Sequence, residues 1–350
     1  MLGAALKETT GLFERRFLLN ALLPALVLVG LCGAVAVGST AGPKAGLAAW
    51  NRQDTLLKAL YSVAFVAAVV LVATWLSGLN ALLLRWYEGD WSRRPWRLLA
   101  GVGRRWHSRV HARLRPERLP DYQRLYSGYP PDLAEVMPTR LGNILKNAVL
   151  HPEGRYGIDA ALVWPRLYPL LPADHRATLA AIRADLEFFL TVSFLAGLFS
   201  TASGLFLLVT GAPAGLFLLC YAGGAAVALI GYACALGPAR LYGEQVKVTF
   251  DVYRGDLLKQ LGHESGSEDE EWVLWEALAQ QWYRGAPIAA TLRAAAEPAD
   301  DVDGVADVGD VGSSEGPGGR RAWRVVRLPL SAWFVILTLV VGAVGASLLV

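Results

Sequence analysis

His107 and His111 stand four residues apart, a spacing that on one helical face can ligate zinc. No third ligand accompanies them and seven arginines surround them, so the pair reads as part of a solvated basic face. His151-Pro152-Glu153 carries the H-x-E of zinc deaminases without the Pro-Cys-x-x-Cys that would complete it. Gly312-Ser313-Ser314-Glu315-Gly316 spells G-x-S-x-G, but inside an acidic stretch with no strand or helix to form a nucleophile elbow. Neither a phosphate-binding loop nor a dinucleotide fingerprint is present. Glu268 to Glu271 reads as dipole compensation at a helix start. Cys32, Cys220 and Cys234 all fall in apolar runs without ligand spacing, which argues against a disulfide framework and a zinc site alike. We therefore expect no metal, no cofactor and no enzyme. One cluster, Arg155, Asp159 and Arg166, is expected to form a structural ion pair and would be the candidate site of a lipid-acting enzyme.

The densest patterning serves recognition better than catalysis. Arg140, Gly142, Asn143, Arg155, Tyr156, Asp159, Trp164 and Arg166 form a candidate docking or ligand surface. Thr139 can cap a helix running to about Leu150, with Leu141, Ile144, Leu145 and Ala148 on one face. His151 to Gly154 should stop it, and residues 159–171 then give a second apolar helix or turn array with Trp164 and Tyr168 one turn apart. Asp174 is placed to cap one long helix through Thr210, whose lower stripe is Leu179, Ile182, Leu186 and Leu190.

The elements that must carry this block are membrane helices. Of 350 residues, 54% are hydrophobic and the mean hydropathy is +0.36, a balance that a soluble surface does not allow. Five runs reach the roughly 20 apolar residues that cross a bilayer: 17–37, 60–84, 188–210, 214–236 and 330–350. None holds an ionisable residue, which argues against a proton-coupled transporter. Only Lys44, Arg52 and Lys58 lie between the first two runs, and no basic residue separates the third from the fourth. Positive charge in short loops stays inside, so the N-terminus and both long loops are expected in the cytoplasm and Val350 outside. Arg15-Arg16 before Phe17 is similar to a twin-arginine signal, but the aromatic falls one position early, and an uncleaved first span is expected.

The expected organisation is an interfacial helix and hairpin over 1–84, a basic cytosolic helical domain over 85–186, and a second hairpin over 187–236. Cytosolic amphipathic helices then cover 237–293, an acidic disordered linker 294–319, and a last span 320–350. Eleven arginines against four acids occupy residues 85–124, interleaved with Trp86, Trp91, Trp96 and Trp106. Arg93, Arg94, Arg97, Arg104 and Arg105 are the candidate contacts to anionic headgroups, each worth about 1 kcal/mol, and this reading is preferred to nucleic acid. Small residues, Ala196, Ser200 and Gly204 at four-residue spacing and then Gly223-Gly224, Ala228, Gly231 and Ala235, predict a packing core or a self-association surface.

Pro-Thr-Arg-Leu-Gly-Asn from Pro138, Arg-Tyr-Gly-Ile-Asp-Ala from Arg155 and Trp-Pro-Arg-Leu from Trp164 resemble a group of uncharacterised, chiefly actinobacterial, integral membrane proteins. The helix from Tyr242 to Leu258 is similar to theirs as well. The resemblance implies a plasma-membrane protein and brings no activity with it. The chain is thus expected to be an all-α polytopic protein, a non-enzymatic oligomeric scaffold or signal-coupling component that docks an unidentified protein partner. A passive oligomeric pore gated by the cytosolic domain is the alternative, and a lipid-acting enzyme the third.

Overall fold

The computed structural model describes residues 17–40, 42–91, 94–264, 266–289 and 292. These are 86% helical with no strand, as the all-α expectation requires. A π-helical turn at Leu18–Leu22 leads into α1 (Leu23–Thr40), followed by α2 (Pro43–Arg52), α3 (Thr55–Glu88), α4 (Arg94–Arg113) and α5 (Leu119–Gly128). Then come α6 (Arg140–Tyr156), α7 (Ala160–Leu167), α8 (Ala173–Val209), α9 (Ala214–Gln260) and α10 (Glu268–Arg284). Four helices are long and apolar enough to cross a membrane: α1, α3, α8 and α9. The expected N-terminal interfacial helix, the acidic linker and the run 330–350 lie outside the described residues.

Two helices organise the rest. α8 runs unbroken for 37 residues and α9 for 47, about 55 and 70 Å at 1.5 Å per residue. Each is apolar enough to cross a membrane over one half and is more polar over the other, so the boundaries expected at 186/187 and 236/237 fall inside continuous helices. α9 passes through Pro238, which removes one intrahelical bond. The break does not occur because Ala235, Leu236 and Ala239 are buried on both sides of it, against Leu141 and Ile144 of α6 and Leu186 and Leu190 of α8.

In the membrane half, α8 and α9 approach so closely that a Cβ built on Gly224 would lie 2.8 Å from Ser200 Cβ, and one on Gly231 3.1 Å from the Ser193 backbone. Ser200 Oγ donates to the Tyr221 carbonyl and Ser193 Oγ to that of Ala228, both at 2.7 Å. The small-residue stripe is filled by the chain's own hairpin. α3 is held along Val69, Ala73, Leu76 and Leu83, and much of its remaining apolar surface is exposed among the described residues.

The other halves of α8 and α9 carry α5, α6, α7 and α10, which form a lobe around them. Their core gathers Ile158, Val163, Leu167, Leu179, Phe250, Leu257, Trp275 and Leu278. α6 does not stop at His151 as expected. It continues through Pro152 to Tyr156, where Gly157 at φ 70° turns the chain and the Gly157 and Ile158 N–H groups return to the Glu153 and Pro152 carbonyls. Asp174 does not cap α8 either; Pro172 occupies that position, leaving Asp174 in the first turn.

Candidate functional site

The Pro-Thr-Arg-Leu-Gly-Asn block is a latch on the membrane exit of α3. Thr139 Oγ1 donates to the Tyr87 and Glu88 carbonyls (2.7 and 2.9 Å) and accepts the Gly142 N–H at 2.9 Å, capping α6 as its sequence predicts. Gly142 is needed because any Cβ there would overlap the Glu88 carbonyl oxygen. The Asn143 carboxamide accepts from Met137 N–H at 2.8 Å and donates to the Met137 and Thr139 carbonyls. Both Gly142 and Asn143 are buried, which removes them from the expected docking surface. Burial suits them because a turn of polar backbone next to the membrane needs internal partners. Arg140 is the exposed member of the trio.

The second block ties α6 to α9 and α10. His151 Nε2 and the Tyr156 hydroxyl both meet Asp251 Oδ1, at 2.9 and 2.8 Å. The Arg254 guanidinium lies 3.8 Å over the Tyr156 ring, and its Nε donates to Glu271, which also accepts from Trp275 Nε1. Gly157 lies flat on the Trp272 indole. The expected ion pair of Asp159 with Arg155 or Arg166 is absent. Asp159 instead caps α7 through the Ala161 and Leu162 N–H groups and accepts from the Tyr283 hydroxyl at 3.1 Å. Arg166 donates to Leu162 and stacks 4.1 Å over Trp282, while Trp164 packs on Phe250. A capping carboxylate with three donors has no need of a guanidinium, so the cluster proposed for lipid chemistry does not assemble.

Between α5 and α6 lies a cavity of about 390 Å³, with His111, Tyr122, Tyr126, Asn147, His151 and Arg155 among its walls. Behind it Lys247, 2% exposed, donates to the Tyr126 carbonyl at 2.7 Å and to Glu244 at 3.2 Å, and lies 4.1 Å over the Tyr126 ring. Burial, more than the nearby Glu244 and Asp251, raises the Tyr126 phenol above its ordinary value, keeping it a neutral donor. Exposed Arg155, aromatic walls and phenol hydroxyls can hold a small anion with a flat face. Lys247 and Asp251 were missed from sequence. Their signal was a lysine and an aspartate flanking the apolar stripe of Val246 and Phe250, on a helix expected to be amphipathic.

α4 faces both ways. Ala100 is buried, and a Cβ on Gly103 would lie 2.5 Å from the Pro138 carbonyl. His107 Nδ1 meets the Tyr129 hydroxyl at 3.0 Å and His111 Nε2 the Pro130 carbonyl at 3.2 Å. The histidine pair is thus a clasp, and among the described residues no cluster suits a metal ion. Burial first, and the charge of Arg140 second, hold His107 below its ordinary value of 6.5. Away from the lobe, Leu98, Val102 and Trp106 are exposed by 79, 65 and 65%, on one stripe among exposed Arg97, Arg104 and Arg105. Arg94 begins the helix, and Arg93 lies outside the described residues. An apolar stripe with flanking arginines, six residues after a membrane helix ends, has the composition of an interfacial helix.

No family model matches this chain, and no curated protein or solved structure is similar to it.

Proposed function

We propose that the chain is a non-enzymatic coupling component of a bacterial plasma membrane, with five spans, its N-terminus inside and Val350 outside. In this reading it belongs with the actinobacterial group that its sequence blocks resemble. The observation that carries the proposal is mechanical: α8 and α9 pass without a break from the apolar layer into the lobe, whose core is built on their lower halves. A partner or small anion bound at the lobe, around Arg155 and Tyr122, can therefore tilt two membrane helices as rigid rods. α4 sets the lobe against anionic headgroups, with Leu98, Val102 and Trp106 in the interface and Arg97, Arg104 and Arg105 at the phosphates. Copies associate through faces that the hairpin leaves open, one of them lined by Ser62, Val66, Val70 and Thr74 of α3. The buried polar side chains of α8, Thr201, Ser203 and Ser200 among them, bond to backbone carbonyls and line no channel within one copy.

The test is photo-crosslinking in native membranes from single positions. Residues Arg155 and Tyr122 are expected to capture one reproducible cytosolic neighbour, and Val63 on α3 a second copy. Monomer without neighbour at every position contradicts the proposal.

A further inference from the structure

α1, α8 and α9 enclose a lipid-level groove of about 680 Å³ whose walls are almost wholly apolar. Leu23, Val27, Leu31 and Gly38 of α1 form one side, Leu216, Cys220, Gly223 and Val227 of α9 the other, and Phe188, Leu195 and Phe199 of α8 the floor. Its small residues are of two kinds. Gly224 is pressed on Ser200, whereas a Cβ on Gly223 or Gly38 would meet nothing within 4 Å. Open glycines on a concave wall admit another helix backbone at close range, and in lipid close packing is what holds helices together.

We infer that the groove is the seat of the chain's own last apolar run, residues 330–350. This rests on the five-span reading. Three observations favour that occupant over a lipid tail or a second copy. The first is depth. At 1.5 Å per residue, Cys220 lies about 9 Å from the outer end of α9. A run entering at Leu330 and leaving at Val350 brings Gly342, Gly345 and Ala346 to about that depth, so the small residues of the run meet Cys220 and Gly223. The second is direction: in the five-span reading the run leads outward, as α1 and α8 do and opposite to α9, so it enters the groove from the end at which α9 leaves it. The third is charge. Asp185 stands one turn below Phe188 at the inner mouth, exposed and with no ion pair among the described residues. Arg327 and Arg324 precede the run by about one and two turns and would meet it there. Reach sets no obstacle, since the 37 residues between Leu292 and Leu330 can extend beyond about 100 Å.

Cys220 supplies the test. In the full chain carrying Cys32→Ser and Cys234→Ser, single cysteines are placed in turn at residues 338–348, with a protease site in the acidic stretch 297–319. After oxidation in membranes and cleavage, fragments held together on a non-reducing gel report a bond within one copy. Bonds recurring every three or four residues, with 342 and 345 or 346 among the strongest, are expected. Dimers bridged between copies would assign the groove to a second copy; no bond at any position would leave it to lipid; equal bonds everywhere would mean collision without a seat. Each of these overturns the inference. A cysteine added after Val350 is labelled in parallel with an impermeant maleimide on intact cells. Labelling without bonds sinks the docking alone, while failure to label sinks the fifth span and the docking with it.

Discussion

The two halves of α9 solve the same problem with opposite materials. Its membrane half packs by having almost no side chains at the contact: Gly224 and Gly231 let the backbone of α8 in, and Ser193 and Ser200 donate across to carbonyls. Its other half, in the lobe, packs by bulk, with Phe250, Leu257 and Leu258 buried against Trp275 and Leu278, and charges turned into a network around Asp251 and Arg254. The difference follows from solvent. Water drives large apolar groups together at about 25 cal/mol per Å². Lipid does not distinguish a buried leucine from an exposed one, which leaves close contact and hydrogen bonds as the forces between helices.

The comparison breaks most heavily on its aqueous side. Trp275→Ala empties the centre of the lobe and is expected to cost about 3–5 kcal/mol, read as denaturant unfolding of the lobe in detergent. Leu229→Ala, on a 72% exposed lipid-facing position of the same helix, should leave that transition where it is. In the membrane half, Gly231→Val forces a side chain into the Ser193 backbone, and we expect about 1–3 kcal/mol lost from hairpin association measured by steric trapping in bicelles. If that substitution is silent, the close-approach account of the membrane half is wrong. Thr139→Ala removes the α6 cap and its bonds to Tyr87 and Glu88. A loss of about 1–2 kcal/mol, with faster proteolysis between α3 and α6, would place the latch between the two regimes.

The smallest effect sharpens the boundary of the lobe. Because His107 sits below 6.5 in the folded chain, the unfolded chain binds its proton first as pH falls. The stability that His107 contributes is therefore complete above 6.5 and is lost as pH drops toward the lowered folded value. The groups facing the ring are Tyr129, Arg140 and His111, of which Arg140 works in the same direction. His107→Gln should flatten that part of the pH profile of α4 release, followed by Trp106 fluorescence. An unchanged profile would remove His107 from the clasp.

Much of this architecture is legible along the chain because it is periodic. The four described spans, the stripe from Leu179 to Leu190 and the small residues at four-residue spacing follow directly from composition and helical period. The errors share one cause. Pro152 is a local stop signal and 236/237 an expected boundary, and each is overruled by burial several residues away in sequence and adjacent in space. Asp159 near two arginines predicts an ion pair, yet a helix N-terminus and Tyr283, 124 residues distant, claim the carboxylate. Gly142 and Asn143 stand out as a pattern, but nothing local tells a buried latch from an exposed surface. Only the carbonyl of Glu88, brought in by α3, decides it.

The claim on which the coupling proposal turns is that α8 is one straight element from lobe to outer surface. Spin labels at Arg176 and Val209, both exposed, stand 33 residues apart in the full chain reconstituted in nanodiscs. An unbroken helix requires a single narrow distance distribution near about 50 Å. A broad distribution, or one centred well short of that value, would mean that α8 bends or breaks at the membrane surface and that the lobe does not move its spans.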